Sequence, residues 1–348
     1  MLIENSVVKK YKKEISVSVV VLNYNGKDYL KNCIDSLVKV DEPKLEIIIV
    51  DNASTDGSEE IINQYIHRYK GKVFFIKNER NMGIAEGYNI GIRNSRHEYI
   101  VILNSDTIVK EDSLKKIIEP FFFDRKVAAV QPKILKPLNN SLIDSVGADM
   151  DVDGCLVETY YLQNEKNCLK ANVVREIPFP TSVASAYRKE ILVKVGLFDS
   201  MFSANYEDVD LGWRLRRRGY KIVFYPMSII YHARGGTTSK YPLLTMETLY
   251  RHRLLFILKH YSILDIVKAM PAIMLLYLFT FIVNCLARNI QRAFVPIHAI
   301  SWILLNFREI INKRRLELHT HGSRTSIKEL MKFSSYGCLT IRQKLRTL

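Results

Sequence analysis

Val17-Ser18-Val19-Val20-Val21-Leu22, running straight into Asn23-Tyr24-Asn25-Gly26, is the stretch that decides the fold. A β-branched apolar run of this length, without alternation, reads as a strand buried on both faces, and the polar turn that ends it starts a helix carrying Tyr29, Leu30, Cys33, Ile34 and Leu37 at helical spacing. The unit then repeats. Residues 46–50 form a second apolar run that ends at Asp51-Asn52-Ala53-Ser54-Thr55-Asp56-Gly57-Ser58, a cluster of turn and cap residues before a helix with Ile61, Ile62, Tyr65 and Ile66. A third run, 73–77, gives way to Asn81-Met82-Gly83, and a fourth, 99–103, ends at Asn104-Ser105-Asp106. Strands alternating with helices predict an open, mostly parallel α/β sheet, and ligands of such sheets bind outside the carboxyl ends of the strands. Every polar cluster named so far falls at that edge.

Further along, the alternation weakens over residues 131–180, where Asp144, Asp149, Asp151 and Asp153 sit among tyrosines and turns. This segment reads as an irregular insert facing a second substrate. Order returns over 181–195, and Gly196-Leu197-Phe198-Asp199 leads to Asn205-Tyr206-Glu207-Asp208-Val209-Asp210-Leu211-Gly212-Trp213-Arg214. Carboxylates in a first helical turn face the positive end of the macrodipole, so this stretch predicts a loop feeding a helix that runs toward Gly219. A further strand over 221–225 precedes Ile229-Ile230-Tyr231-His232, and from Tyr241 onward the strands cease. The division expected is an α/β domain over 1–240 and a helical, basic region over 241–348.

Composition narrows the partners. The 348 residues are 48% hydrophobic and carry a net charge of +15, of which residues 287–348 hold twelve Lys/Arg against three Asp/Glu. Residues 269–287 are uncharged, with only Thr280 and Asn284 clearly polar, the length of a short membrane span; residues 293–305 are shorter and suit an interfacial helix. A basic excess beside apolar helices points to an anionic membrane surface, and the tail shows no nucleic-acid-binding motif. Residues 1–14 have no signal-peptide pattern, which predicts that the α/β domain lies at the cytoplasmic face of the cell membrane, peripheral or single-span. The alternative for both apolar runs is a helical hairpin inside a soluble domain or at a homodimer contact. Cys33, Cys155, Cys168, Cys285 and Cys338 are scattered, with no C-x-x-C pair, and predict reduced thiols.

Chemically, Asp51 at one strand end, Asn81 and Gly83 at a helix start and Asp106 at another strand end suit a phosphate-bearing nucleotide: a carboxylate accepts from base or ribose, glycine lets backbone N–H groups approach an anion, and an aspartate can hold a divalent metal. Neither a G-x-G-x-x-G nor a G-x-x-x-x-G-K-S/T loop is present. Singly, Asp51 reads equally as a helix cap, His232 as a strand-end histidine and Trp213 as core; only their joint placement points to a site.

Taken in order, Asn-Tyr-Asn-Gly after the first strand, Asp51-Asn52-x-Ser54-x-Asp56-Gly57-Ser58, Asn81-x-Gly83 with Gly87-x-Asn89-x-Gly91, Leu-Asn-Ser-Asp at 103–106, Gly196-Leu197-Phe198-Asp199, Tyr206-Glu207-Asp208-Val209-Asp210-Leu211-x-Trp213-Arg214 and His232 resemble family 2 glycosyltransferases of the GT-A fold, closest to the rhamnosyltransferase-like branch, over about residues 15–260. The resemblance implies an inverting glycosyl transfer from a nucleotide-diphospho-sugar, such as dTDP-rhamnose or a UDP-sugar, to a glycan or lipid-linked acceptor of cell-surface polysaccharide. It implies Asp208 as general base, Glu207, Asp210 and Trp213 as acceptor- or loop-positioning groups, and Asn23, Asn25, Asp51, Asn81, Gly83 and Ser105 around the donor. Asp106 and His232 would ligate Mg²⁺ or Mn²⁺. A non-catalytic sugar-nucleotide-binding or assembly protein on the same fold is the competing function. Two departures stand out: Asn104-Ser105-Asp106 brings one carboxylate where many relatives have two, and Ser182-Val183 replaces the usual Gly-Ala. A nucleotide-sugar-binding unit that survives removal of the chain from Ser262 onward is also expected.

Overall fold

The computed structural model describes residues 16–40, 44–151, 153–158, 160–234 and 240–319. Residues 1–14, Cys338 and the part of the basic tail beyond residue 319 lie outside the described residues. The first half forms as the alternation predicts: β1 (Ser16–Asn23), α1 (Lys27–Val38), β2 (Lys44–Asp51), α2 (Ser58–Arg68), β3 (Val73–Lys77), α3 (Gly83–Asn94) and β4 (Tyr99–Asn104). Then come β5 (Thr107–Val109), α4 (Ser113–Phe123) and β6 (Val127–Leu135), followed by short strands β7 (Ile143–Ser145), β8 (Ala148–Met150), β9 (Leu156–Glu158) and β10 (Arg175–Glu176). The body closes with β11 (Ala184–Arg188), α5 (Lys189–Val195), α6 (Glu207–Arg217) and β12 (Lys221–His232). Four helices follow, α7 (Pro242–His260), α8 (Ile263–Leu286), α9 (Ile290–Leu305) and α10 (Phe307–His319).

The main sheet has the order β10-β12-β6-β11-β4-β1-β2-β3. β1 pairs in parallel with both β2 and β4, while β11 inserts antiparallel between β4 and β6. The chain therefore reverses direction of travel between β1 and β4, which makes their carboxyl ends the place where a crevice opens. The buried register explains the unbroken apolar run: Val17, Val19 and Val21 pack on α1, α2 and α4, and Val20 and Leu22 pack on α3, α5 and α6.

Two segments differ from expectation. All nine residues of β6 are buried, so the irregular insert begins after Leu135 and not at Gln131. The two pieces read around 221–232 are one strand with a register shift between Tyr225 and Ile229, where Pro226 has no N–H for the ladder.

A third core lies beyond the sheet. Trp213, Val209 and Tyr206 of α6 and its N-terminal edge pack with Phe256 of α7, Tyr277 of α8, Ile303 of α9 and Ile310 of α10. This core draws on residues from both sides of position 240, so the C-terminal helices are built onto the body. The described cysteines are free thiols.

Candidate active site

The first polar cluster is assembled from the first two strand ends. Asn23 is fully buried and donates through Nδ2 to Asp51 Oδ1 at 2.7 Å. Asp51 in turn takes the Ser54 backbone N–H at 2.8 Å and the Ser54 hydroxyl at 2.6 Å, an aspartate turn that locks the loop. Asn25 closes the ring, its N–H donating to Ser54 Oγ at 2.9 Å and its Oδ1 accepting from Thr55 N at 2.8 Å. The Oδ1 of Asn23 is buried with no partner among the described residues. Gly26 is required here, because a Cβ would lie 2.5 Å from both Asn23 Oδ1 and Ser105 Oγ.

Asn81 is exposed and caps the start of α3 through its Oδ1, which accepts from Gly83 N at 2.9 Å. Gly83 has φ +78°, and a Cβ there would meet Ser203 O at 2.7 Å. The α3 start is thus pressed against the loop that leads into α6, and Ile84 N donates to that same Ser203 carbonyl at 2.6 Å.

The metal candidates face each other across a strand pair. Thr107 of β5 pairs with His232 of β12, and Ala233 N donates to Asp106 O at 3.0 Å, which fixes the two side chains side by side. His232 Nε2 lies 3.3 Å from Asp106 Oδ1, while Nδ1 lies 2.8 Å from Asp144 Oδ2. Burial disfavours a charged imidazole at His232, yet the two flanking carboxylates prevail and raise it to about 9. Asp144 is buried too, and despite that burial its contacts to His232, Arg234 and Lys136 hold it below the usual carboxylate range. An imidazole fixed through Nδ1 by a carboxylate presents Nε2 as a metal ligand does. One carboxylate and one imidazole fit a divalent cation that takes its remaining ligands from phosphate and water. Among the described residues no cluster of three or more such ligands converges on one point.

The acidic stretch divides. Asn205 and Tyr206 adopt φ +62° and +68°, a left-handed pair without glycine at a cost of about 1–3 kcal/mol each. α7 holds this loop in place: Asn205 Nδ2 donates to Thr248 Oγ1 at 2.8 Å, and His252 Nδ1 donates to the carbonyls of Ala204 and Asn205 at 2.5 and 3.0 Å. Past the strained pair, Glu207 Oε1 accepts from Ser182 Oγ at 2.6 Å and Asp208 Oδ2 accepts from Ser182 N at 2.9 Å. Glu207 Oε2 is buried with no partner among the described residues. Burial and then the neighbouring Asp208 charge push Glu207 up to about 8, and burial likewise raises Asp208. Two adjacent acids in one buried pocket compete for a proton, the state from which a general base can work near neutrality.

Asp210 points elsewhere. It is fully buried, with Oδ2 at 2.8 Å from Arg214 Nε and Oδ1 at 2.6 Å from Lys259 Nζ and 2.7 Å from His260 Nε2. Burial alone would raise it, but Lys259 and Arg214 hold it well below the usual carboxylate range. Trp213 is 5% exposed and lies in the third core, edge-on to Phe256 at 5.4 Å. Asp210 and Trp213 therefore tie α6 to α7, and Asp210 reaches the loop before α6 through Lys259, which also pairs with Asp199.

Sequence reasoning singled out neither Tyr88 nor Ser182 as a site residue. The Tyr88 hydroxyl, on α3, lies 2.7 Å from Asn104 Oδ1 and 3.0 Å from Ser182 O. It joins the turn before Asp106 to the residue that holds both acids. Ser182 could have been found from its departure from the Gly-Ala pattern; nothing in the local sequence marks Tyr88.

Comparison with known proteins bears on this geometry. The family described as "Glycosyl transferase family 2" matches residues 18–196, more than half of the chain. The chain is similar to poly-beta-1,6-N-acetyl-D-glucosamine synthase of Staphylococcus aureus (strain MSSA476), 27% identical over 59% of this chain and 47% of that protein. The synthase of Staphylococcus epidermidis is 25% identical over 61% of this chain and 48% of its own. The chain spans about half the length of the curated relatives it matches. Among solved structures, GalNAc-T7 with UDP, GalNAc and Mn²⁺ superposes with a TM-score of 0.66 at 17% identity, over 93% of this chain and 57% of that one. The mannosyltransferase PcManGT from Pyrobaculum calidifontis with GDP-Man and Mn²⁺ gives 0.53 at 16% identity, over 99% and 89%.

Proposed function

Because the chain belongs to glycosyl transferase family 2 and has the GT-A fold, we propose that it moves a sugar, with inversion, from a nucleotide-diphospho-sugar to a hydroxyl of a glycan or lipid-linked acceptor in cell-surface polysaccharide synthesis. The observation that carries the reading is the Tyr88–Ser182 link, which ties the Asn104-Ser105-Asp106 turn to Glu207 and Asp208 in one crevice.

In this reading Asn23, Asn25 and Asp51 shape the pocket for the nucleoside, with Asn81 and Gly83 at its rim and Ser105 beneath it. Asp106 and His232 would hold a divalent cation, Mg²⁺ or Mn²⁺, which would supply positive charge to the diphosphate. Asp208 takes the proton of the acceptor hydroxyl as that oxygen bonds to the anomeric carbon and the bond to the diphosphate breaks. Glu207 keeps the second proton of the acid pair because it is buried beside Asp208. The enzyme works at the cytoplasmic face of the cell membrane. The relatives that support the polysaccharide reading are poly-beta-1,6-N-acetyl-D-glucosamine synthases, and the structures that share the fold hold Mn²⁺ with UDP or GDP-Man.

Screening UDP-, GDP- and dTDP-sugars with Mn²⁺ for thermal stabilisation tests the donor, since a ligand at about 100 times its Kd adds about 2.7 kcal/mol. Stabilisation by a nucleotide-sugar, followed by release of the nucleoside diphosphate in the presence of acceptor, is the expected result. Binding without turnover on any acceptor or water would turn the reading toward a sugar-nucleotide-binding protein.

A further inference from the structure

We infer that α8 and α9 lie flat in the surface of an anionic bilayer and do not cross it. The inference deepens the membrane location proposed above, and it rests on helix packing and charge, independent of glycosyl transfer.

α8 is long enough to span, at about 36 Å for 24 residues, so length does not decide. Its packing does. One face is fixed to the body through Ala269, Ile273, Tyr277 and Thr280, with Tyr277 donating to Tyr250 O at 2.6 Å and Thr280 Oγ1 lying 2.8 Å from the Tyr250 hydroxyl of α7. α9 then runs parallel to α7, His298 facing Glu247 and Trp302 lying under Arg251. α10 turns back by 67° and anchors to the body, Lys313 Nζ lying 2.5 Å from Asp199. A membrane-crossing α8 would drag these neighbours to bilayer depth. α7 carries Arg253 and Lys259 buried in ion pairs with the body, and irregular body segments pack around them, which a hydrocarbon interior does not accommodate.

The outward faces are apolar all the same. Only 22% of the most apolar stretch of α8 is buried. Val267, Leu275, Leu278, Ile282 and Leu286 are exposed at spacings of one helix face, and α9 adds Phe294, Ile297 and Leu304. A helix with an apolar inner face on protein and an apolar outer face bare has the form of a helix half-sunk in lipid.

Charge chooses lipid over a second copy of the chain. Between residues 266 and 308 there is no Asp or Glu, while Lys268, Arg288, Arg292 and Arg308 are all exposed. A symmetric dimer through this face would bring the four cations together with only Asp265 and Glu309 at its ends to meet them, whereas an anionic leaflet pairs each one. In this seat α7 alone separates the lipid-facing hairpin from the loop holding Glu207 and Asp208. The acids then lie within about two helix layers, at about 8–10 Å each, of the lipid.

The test uses the full chain and preformed vesicles of phosphatidylglycerol and phosphatidylcholine. In a chain with Cys155, Cys285 and Cys338 changed to Ser, Ile263→Cys and Ala287→Cys, at the two ends of α8, are labelled with a membrane-impermeant maleimide added outside. Flotation with the anionic vesicles and labelling of both ends is the expected result. Leu275→Asp with Phe279→Asp should weaken flotation by about tenfold or more while the variant still melts cooperatively. Protection of one end until the vesicles are lysed would overturn the flat seat. Failure to float at low salt, or a sedimenting dimer that ignores vesicles, would overturn the lipid partner, and neither result touches the donor-binding assay.

Discussion

Ser182 grips Asp208 by its backbone: the N–H donates to Oδ2 at 2.9 Å, while the hydroxyl of the same residue donates to Glu207 Oε1 at 2.6 Å. A single residue just before β11 thus sets the orientation of both acids. Asp208→Asn keeps the size and the accepting oxygen but removes basicity, so donor binding should persist while turnover falls roughly 10² to 10⁴-fold. Ser182→Ala retains the N–H on Asp208 and frees Glu207, so a smaller loss in kcat, with KM for the donor unchanged, is expected. Steady-state kinetics on both variants checks this, and near-normal turnover of Asp208→Asn would remove that residue from the mechanism.

The acid pair also sets a pH dependence. Burial, and then the Asp208 charge, raises Glu207 to about 8, so the folded protein keeps a proton that the unfolded chain releases in the usual glutamate range. Stability from this proton is fully present below the unfolded value and is lost as pH rises through about 8. Glu207→Gln carries no titrating proton, so wild-type stability should decline relative to it across that window, by at most about 1.4 kcal/mol per pH unit. Urea unfolding of both proteins at several pH values measures the difference; parallel curves would mean that Glu207 is ionised in the fold.

Asp106 and His232 predict dependence on a divalent cation. Chelation should abolish transfer, and Asp106→Ala should weaken donor binding through loss of the diphosphate's charge partner. Asp144→Asn is the sharper probe: it still fills the space beside His232 Nδ1 but no longer offers a carboxylate. A loss of roughly 10- to 100-fold in metal affinity is expected, read by Mn²⁺ titration of the isolated protein. Full activity in excess chelator would assign the leaving group to basic side chains.

The sheet and its polar edge were legible because each depends on local pattern: buried strands read as unbroken apolar runs, and their ends carry turn residues; the pairing of Asp106 with His232 came only from the family resemblance. Asp144 was seen but not placed, since its partner is 88 residues away and is reached only through the β6–β12 pairing. The acidic stretch held a signal that spacing alone could have supplied. Residues two apart on a helix do not share a face, so Asp208 and Asp210 had to diverge, while Asp210 and Arg214 stand one turn apart and pair. Ser182 and Tyr88 act through tertiary hydrogen bonds that leave no periodic trace.

The third core bears on truncation. Removing the chain from Ser262 onward deletes Tyr277, Ile303 and Ile310, all buried against α6 and α7, along with Lys313, which pairs with Asp199. Such a protein exposes Tyr250 and Arg251 of α7, which pack on Tyr277 and Trp302 in the full chain. Contrary to the sequence-based expectation, it should aggregate or unfold at low temperature and lose nucleotide-sugar binding with the fold. A soluble, cooperatively melting truncation that binds donor normally would show that the helices are an appendage.

Asp210 differs in kind from the two acids that Ser182 holds. It is fully buried and meets Arg214, Lys259 and His260, and Lys259 also reaches Asp199 at 2.6 Å, so one carboxylate joins α6, the loop before it and α7. Burial outweighs the carboxylate at His260 and lowers it to about 4, so this imidazole contributes an N–H and no charge. Asp210→Asn leaves Arg214 and Lys259 buried with one anion fewer, and breaking a buried pair in this way costs about 3–5 kcal/mol. The variant should show a lower urea midpoint with an unchanged slope, while the folded fraction at low temperature keeps kcat and the acceptor KM within a few-fold of wild type. A large rise in acceptor KM with normal stability would instead put Asp210 in contact with the acceptor, against its burial.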